Sequence, residues 1–230
     1  MKHKKISFLC ILGFLLGILA ILVGMLRLTI NDRAYFAKLY ERYDMQAQIG
    51  ISAEDCTNAM MKMIGYMEGR ESSIQLTVTE LGQPVEMFNQ QEIDHMVDVR
   101  GLYQAFCLVE YIGFAALILL LGAALLAKRP AAQAVVQAFW WALGIFGMAV
   151  LGLGAYALLD FNGFWTMFHR LFFTNDLWLM EYATCRMIRI CPLELFSGII
   201  ARFVLLSLGA LAVLCGALAA RGKRLKGIPA

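Results

Sequence analysis

The chain has 230 residues, 60% of them hydrophobic and only 16% charged, with a formal net charge of +3. That balance lies well outside the range of ordinary soluble domains, and nothing in it suggests nucleic acid as a partner. Four stretches, Ile6–Ile30, Phe106–Ala127, Val135–Leu159 and Phe196–Ala220, are each near the ~20 residues a helix needs to cross a bilayer.

The fold class expected is an α-helical membrane protein of four transmembrane helices, with a small mixed α/β extracellular cap between helices 1 and 2. In chain order, residues 1–30 are a tail and the first span, 31–103 the cap, 104–127 the second span and 128–134 a cytoplasmic turn. Residues 135–159 are the third span, 160–195 an extracellular aromatic segment, 196–220 the fourth span and 221–230 a cytoplasmic tail. Lys2, Lys4, Lys5, Lys128, Arg129, Arg221, Lys223, Arg224 and Lys226 flank one side of the spans with no acid among them. By the positive-inside rule both termini are cytoplasmic, and the two larger segments lie outside. The first apolar run is too long for a cleavable signal peptide and reads as an uncleaved anchor. His3 belongs to its basic flank.

Arg27, near the outer end of the first span, either snorkels to the headgroups or pairs with Glu110 at similar depth. Ser52-Ala53-Glu54-Asp55 reads as a capping box that opens a helix, with Met60, Met63, Ile64 and Met67 at helical spacing and Gly69 as its stop. The methionine stripe is core packing or, alternatively, a flexible acyl-chain groove. Ile74–Thr79 alternates like a half-buried strand, Gly82-Gln83-Pro84 makes a turn, and Val85–Phe88 is a short partner strand. Asn89 and Glu92 cap the next helix, which sets His95, Asp98 and Leu102 on one face. Asp98 either orients His95 or makes an ordinary surface contact with it.

Glycines 144, 147, 152 and 154 in the third span suit close helix contacts in lipid. Past that span, Asn162 caps a short helix carrying His169 among Phe161, Phe164, Trp165, Phe168, Phe172, Phe173 and Trp178. An ionisable side chain in such surroundings is costly to keep without a purpose. Those rings serve as an interfacial belt, as a box around His169, or as both. Arg202 snorkels or pairs with an outer acid such as Glu194. No CxxC or metal-like cysteine spacing occurs; Cys185 and Cys191 are the nearest candidates for a disulfide, against packed free thiols.

HMVDVRGLY (His95–Tyr103) and FHRLFFTNDLW (Phe168–Trp178) resemble motifs of the bacterial lipoprotein intramolecular transacylases (Lit), HM-x-DVK and FH-x-x-FF-x-N-x-x-W. The resemblance covers nearly the whole chain. Arg100 stands where lysine is expected, which keeps the charge but not the geometry. The resemblance implies His95 and His169 as catalytic residues, and transfer of the middle (sn-2) acyl chain of a diacylglyceryl lipoprotein to the α-amino group of its own N-terminal cysteine. Asp98, Arg100, Asn175 and Asp176 are then supporting residues. Tyr103, Phe164, Trp165, Phe168, Phe172, Phe173 and Trp178 line the substrate pocket. No metal or other cofactor is expected. The partners are the lipoprotein substrate and membrane lipid, and the chain is expected to act as a monomer in the bacterial cell membrane, its site at the extracellular face. Two other classes compete: a zinc-dependent membrane hydrolase with His95, Asp98 and His169 as ligands, and a non-enzymatic scaffold or transport component.

Overall fold

In the computed structural model, which describes residues 8–227, the elements run α1 (Phe8–Ile30), α2 (Arg33–Arg42), α3 (Met45–Ile49), α4 (Ala53–Met67), β1 (Thr77–Glu80), β2 (Gln83–Glu86), α5 (Gln90–Leu126), α6 (Arg129–Leu159), α7 (Phe161–Phe172), α8 (Arg186–Arg189) and α9 (Leu193–Gly227). Lys2, His3, Lys4 and Lys5 lie outside the described residues. Helices α1, α5, α6 and α9 are long and apolar enough to cross a membrane. All four exceed the minimum, with 23, 37, 31 and 35 residues. The chain divides into two compact units. One holds α1 as far as Met25, Phe106–Thr166 and α9 from Val204; the other holds Leu26–Ala105 and Met167–Phe203.

In the first unit, glycine brings α1 and α5 together. A methyl group on Gly113 would run into the Leu16 carbonyl oxygen and come within 2.7 Å of Ala20 Cβ. Gly13 and Gly17 leave similar room for Leu120 and Leu117. The expectation for the third span is corrected here: Gly144, Gly147, Gly152 and Gly154 meet no heavy atom within 4 Å among the described residues. Small residues promote packing only where a second backbone faces them, and the C-terminal half of α6 leaves Met148, Leu151 and Leu153 exposed instead. The core comprises Phe14, Ile18, Leu117, Phe139, Leu211, Leu214 and Leu218 with their neighbours, and the Phe14 and Phe139 rings meet edge-on at 5.4 Å. Arg221 donates to the Ala124 and Leu125 carbonyls at 2.9 and 3.0 Å, satisfying acceptors that the end of α5 leaves without helical partners.

The second unit has its own core, formed by Phe36, Tyr40, Met45, Ile51, Met60, Met63, Ile64, Ile74, Met87, Phe88 and Met96, and completed by Ile190 and Leu195 from far along the chain. Three of the four stripe methionines and isoleucines on α4, Met60, Met63 and Ile64, are buried in it. Ser52 caps α4 by accepting from the Asp55 N–H at 3.0 Å. The Asp55 carboxylate does not reach back to close the box; it accepts from the Thr79 N–H at 3.3 Å. Gly69, at φ +79°, ends the helix in the left-handed conformation glycine adopts without strain, and Arg70 N–H bonds the Gly65 carbonyl at 2.8 Å.

The β-hairpin forms in a shifted position. Thr77–Glu80 pairs antiparallel with Gln83–Glu86 around a Leu81-Gly82 turn, so Gln83 and Pro84 belong to a strand and not to the turn. Ile74 precedes the strand but keeps the alternation, buried in the same core as Val78. The Gln75 amide replaces the ladder by bonding both backbone groups of Phe88. Arg202 also takes a partner the sequence does not single out: Asp32, at 2.7 Å, with its guanidinium 4.3 Å from the Tyr35 ring centre, rather than Glu194. That contact, followed by the Tyr35 N–H, holds the Asp32 carboxyl below the usual carboxylate range. Cys185 and Cys191 are free thiols, not a disulfide. Burial pushes Cys56 and Cys191 up to about 12, so both stay protonated at neutral pH.

Candidate active site

The site is built from the first turns of α5 and the end of α7. Asn89 and Glu92 form the reciprocal box that starts α5: the Asn89 N–H donates to Glu92 Oε2 at 2.7 Å, and the Glu92 N–H to Asn89 Oδ1 at 3.0 Å. One turn on, His95 is 8% exposed. Helix α7 opens on Asp160, whose Oδ1 accepts from the Gly163 N–H at 2.8 Å; Asn162 lies inside the first turn and is not the cap. With two capping candidates two residues apart, the chain enters the helix at the earlier one, which already accepts the Phe164 N–H through its carbonyl. His169, 5% exposed, follows near the end of α7.

The two imidazoles face each other with ring centres 6.4 Å apart and planes inclined by 30°. Phe173 meets His95 edge-on at 5.3 Å and lies 5.6 Å from His169. Trp178 stacks on His169 at 4.7 Å and 24°, and Phe168 meets it edge-on at 5.3 Å. Phe172 packs on Phe168 at 5.0 Å. Phe164 and Trp165, a turn earlier on α7, pair with Tyr156 and Phe161.

The residues expected to support the site divide into two groups. Asp98 does not bond His95; its carboxylate accepts from Asn175 Nδ2 at 2.8 Å. The Asn175 side-chain oxygen in turn accepts from the Leu177 N–H at 3.1 Å, and its backbone carbonyl from Trp178 Nε1 at 3.1 Å. Asp176 is exposed. Arg100, expected in support, and Tyr103, expected in the substrate pocket, are engaged elsewhere. Tyr103 Oη donates to Glu68 at 3.0 Å, and Arg100 lies 4.8 Å from the Tyr66 ring centre. Asn31 and Arg70 also donate to Glu68. Burial would raise the Glu68 pKa, but those hydrogen bonds hold it below the usual carboxylate range.

Sequence reasoning missed three side chains that shape this site. Glu92 is not only a cap residue, because its Oε1 accepts from the Met187 N–H at 2.6 Å and fixes the start of α8. Gln91 Nε2 donates to the Leu177 and Leu179 carbonyls, each at 3.0 Å. Glu80 binds Arg186 at 3.0 Å and Arg189 at 2.9 Å. Contacts spanning some ninety residues leave no periodic signal; only the acid and amide at successive positions of an α5 first turn hinted at them.

Electrostatically, burial pushes the His95 pKa below its ordinary 6.5, the charge of His169 pushes the same way, and Asp98 opposes both. Its Nδ1 is buried without a hydrogen-bond partner. A neutral imidazole at neutral pH can accept a proton, and its neighbour can donate one. No group of three or more His, Cys, Asp or Glu side chains placed to hold a metal ion occurs among the described residues, so the ligand set His95, Asp98 and His169 is not assembled.

Four membrane-crossing helices and a buried imidazole pair in an aromatic setting define a multi-pass membrane protein. The chain belongs to the lipoprotein intramolecular transacylase family, Lit, whose family model matches residues 11–196, and it is therefore an acyltransferase. Its fold is similar to that of the membrane-integral lipoprotein intramolecular transacylase Lit from Bacillus cereus, with a TM-score of 0.72 at 18% identity over 95% of this chain and 96% of that one. Two variants of that protein, each with one histidine replaced, match with a TM-score of 0.73 at 16% identity, covering 95% of this chain and 92% and 94% of theirs. No curated protein sequence gives a significant match.

Proposed function

We propose that this transacylase moves the sn-2 acyl chain of a diacylglyceryl lipoprotein to the α-amino group of the same molecule's N-terminal cysteine, with His95 and His169 dividing the acid–base work. The observation that carries this reading is the 6.4 Å separation of two imidazoles from distant parts of the chain. A hydrogen-bond reach of ~2.6–3.2 Å from each lets both act on one ester group. The amine has a reference pKa near ~8 and is nucleophilic only when neutral. As its nitrogen attacks the ester carbonyl, one imidazole takes the amine proton. The carbonyl–glycerol oxygen bond then breaks, and the other imidazole returns a proton to the departing oxygen. Nothing is lost, so the product is a lyso-form lipoprotein of unchanged mass.

Donor and acceptor sit on one molecule, so confinement is the enzyme's main lever, worth up to ~7–11 kcal/mol in favourable cases. Phe168, Phe172, Phe173 and Trp178 supply walls that keep out water, whose attack would release free fatty acid. Asp98 and Asn175 support the segment carrying Trp178. The basic residues at Lys128–Arg129 and Arg221–Lys226 favour cytoplasmic termini and a site at the extracellular face. Mass spectrometry of a lipoprotein's N-terminal peptide tests the reading: His95→Ala and His169→Ala should each abolish the N-acylated lyso form at unchanged protein abundance. Substantial product from either variant removes that histidine from the mechanism.

A further inference from the structure

The stretch between α7 and α8 is irregular, yet it carries the indole that covers one face of His169. Within the stretch, Trp178 is tied only locally, through its Nε1 to the Asn175 carbonyl. The hydrogen bonds that reach the backbone on both sides of Trp178 from outside come from one side chain. Gln91 Nε2 donates to the carbonyl just before the tryptophan and to the carbonyl just after it. A primary amide has two N–H donors, and here both are used. Gln91 precedes His95 by four residues on α5, so the two project from the same face of the helix.

We propose that Gln91 is a positioning residue: by clamping the backbone on either side of Trp178, it holds the indole face-on to His169 and sets that imidazole's orientation for acyl transfer. One face of α5 thereby places both imidazoles, His95 directly and His169 through the clamped indole. The inference rests on the two-histidine reading above. Glutamate has the same shape as glutamine but no N–H to donate, and it would turn a negative charge toward two carbonyl oxygens. Lysine is of similar reach and carries three donors.

The test uses full-length enzyme in proteoliposomes with a synthetic diacylglyceryl-cysteine peptide. Gln91→Glu should lower kcat by roughly 10- to 100-fold, the scale of a sub-ångström to one-ångström misplacement, with little change in KM. Gln91→Lys should recover most of that loss. The double variant Gln91→Glu/Trp178→Ala should be no slower than Trp178→Ala alone, because the clamp acts only through the indole. Wild-type kcat in Gln91→Glu, no recovery in Gln91→Lys, or losses that multiply in the double variant would each overturn the clamp. If Gln91→Glu does not fold, Gln91→Met, of similar volume and without donors, replaces it in every comparison. His169→Ala in the same assay separates the two readings. Activity there removes the two-histidine mechanism, whereas an inactive His169→Ala beside a fully active Gln91→Glu removes the clamp alone.

Discussion

The two units are held together by different physics. Where α1 meets α5, the contact is close because side chains are missing: Gly113 lets backbone meet backbone, and Gly17 and Gly13 admit the side chains of Leu117 and Leu120. Lipid tails are as apolar as leucine, so dense packing and not exclusion of water favours that contact. The other unit has a methionine-rich core of the kind water enforces, and around it carboxylates that each satisfy several donors: Glu92 for two backbone N–H groups, Glu80 for two arginines, Glu68 for Asn31, Arg70 and Tyr103. The contrast teaches that the imidazole pair sits where polar groups are cross-linked densely enough to hold irregular chain in one conformation.

Substitutions can break that contrast from either side. Glu92→Ala is expected to cost most, roughly 3 kcal/mol, since it removes a cap and leaves backbone N–H groups of Asn89 and Met187 without acceptors. It should lower the melting temperature in detergent and the transacylation rate together; a variant that loses neither shows that the staple at α8 is dispensable. Gly113→Ala follows, at about 1–3 kcal/mol, because the added methyl meets the Leu16 carbonyl. Thermal unfolding should register it, and a neutral result would mean α1 and α5 are not in close contact.

Acidification sharpens the comparison with a smaller effect. The unfolded chain takes up a proton at His95 near 6.5, whereas in the folded protein burial and the charge of His169 defer that uptake to lower pH. The stability gained by keeping His95 neutral is therefore complete above pH 6.5 and fades as the pH falls toward the folded value. His95→Gln should flatten the fall in melting temperature between pH 7 and 5; an identical slope in the variant would assign the loss to other groups. Smallest of all, Gly147→Ala should shift stability by no more than about 0.5 kcal/mol, since nothing faces it.

Much of the local structure was legible because short-range rules fix it. Ser52, the Asn89–Glu92 box and Gly69 sit where spacing alone puts helix ends, and the four apolar runs gave the four long helices. The two histidine motifs were legible only as motifs; that their rings face each other is a property of the fold. Longer-range choices escaped. Neither pattern nor composition says that Asp98 would choose Asn175 over His95, that Arg202 would choose Asp32 over Glu194, or that Gln91 would reach the Trp178 segment. Glycine content was misleading for a related reason: in α6 it is plentiful and faces nothing, while in α5 one glycine at the right register makes the contact.

Tyr40 Oη donates to the Ile190 carbonyl across 150 residues, within a core that also needs Leu195. A ribosome adding ~5–20 residues per second needs roughly 8–30 s to travel that distance. Throughout that interval the half-made nascent chain carries Phe36, Met60 and Ile64 with no finished interior to enter. Correct maturation thus depends on sheltering a sticky intermediate until two further hydrophobic helices have emerged. Variants that slow elongation between residues 100 and 190 are expected to lengthen its exposure to proteolysis.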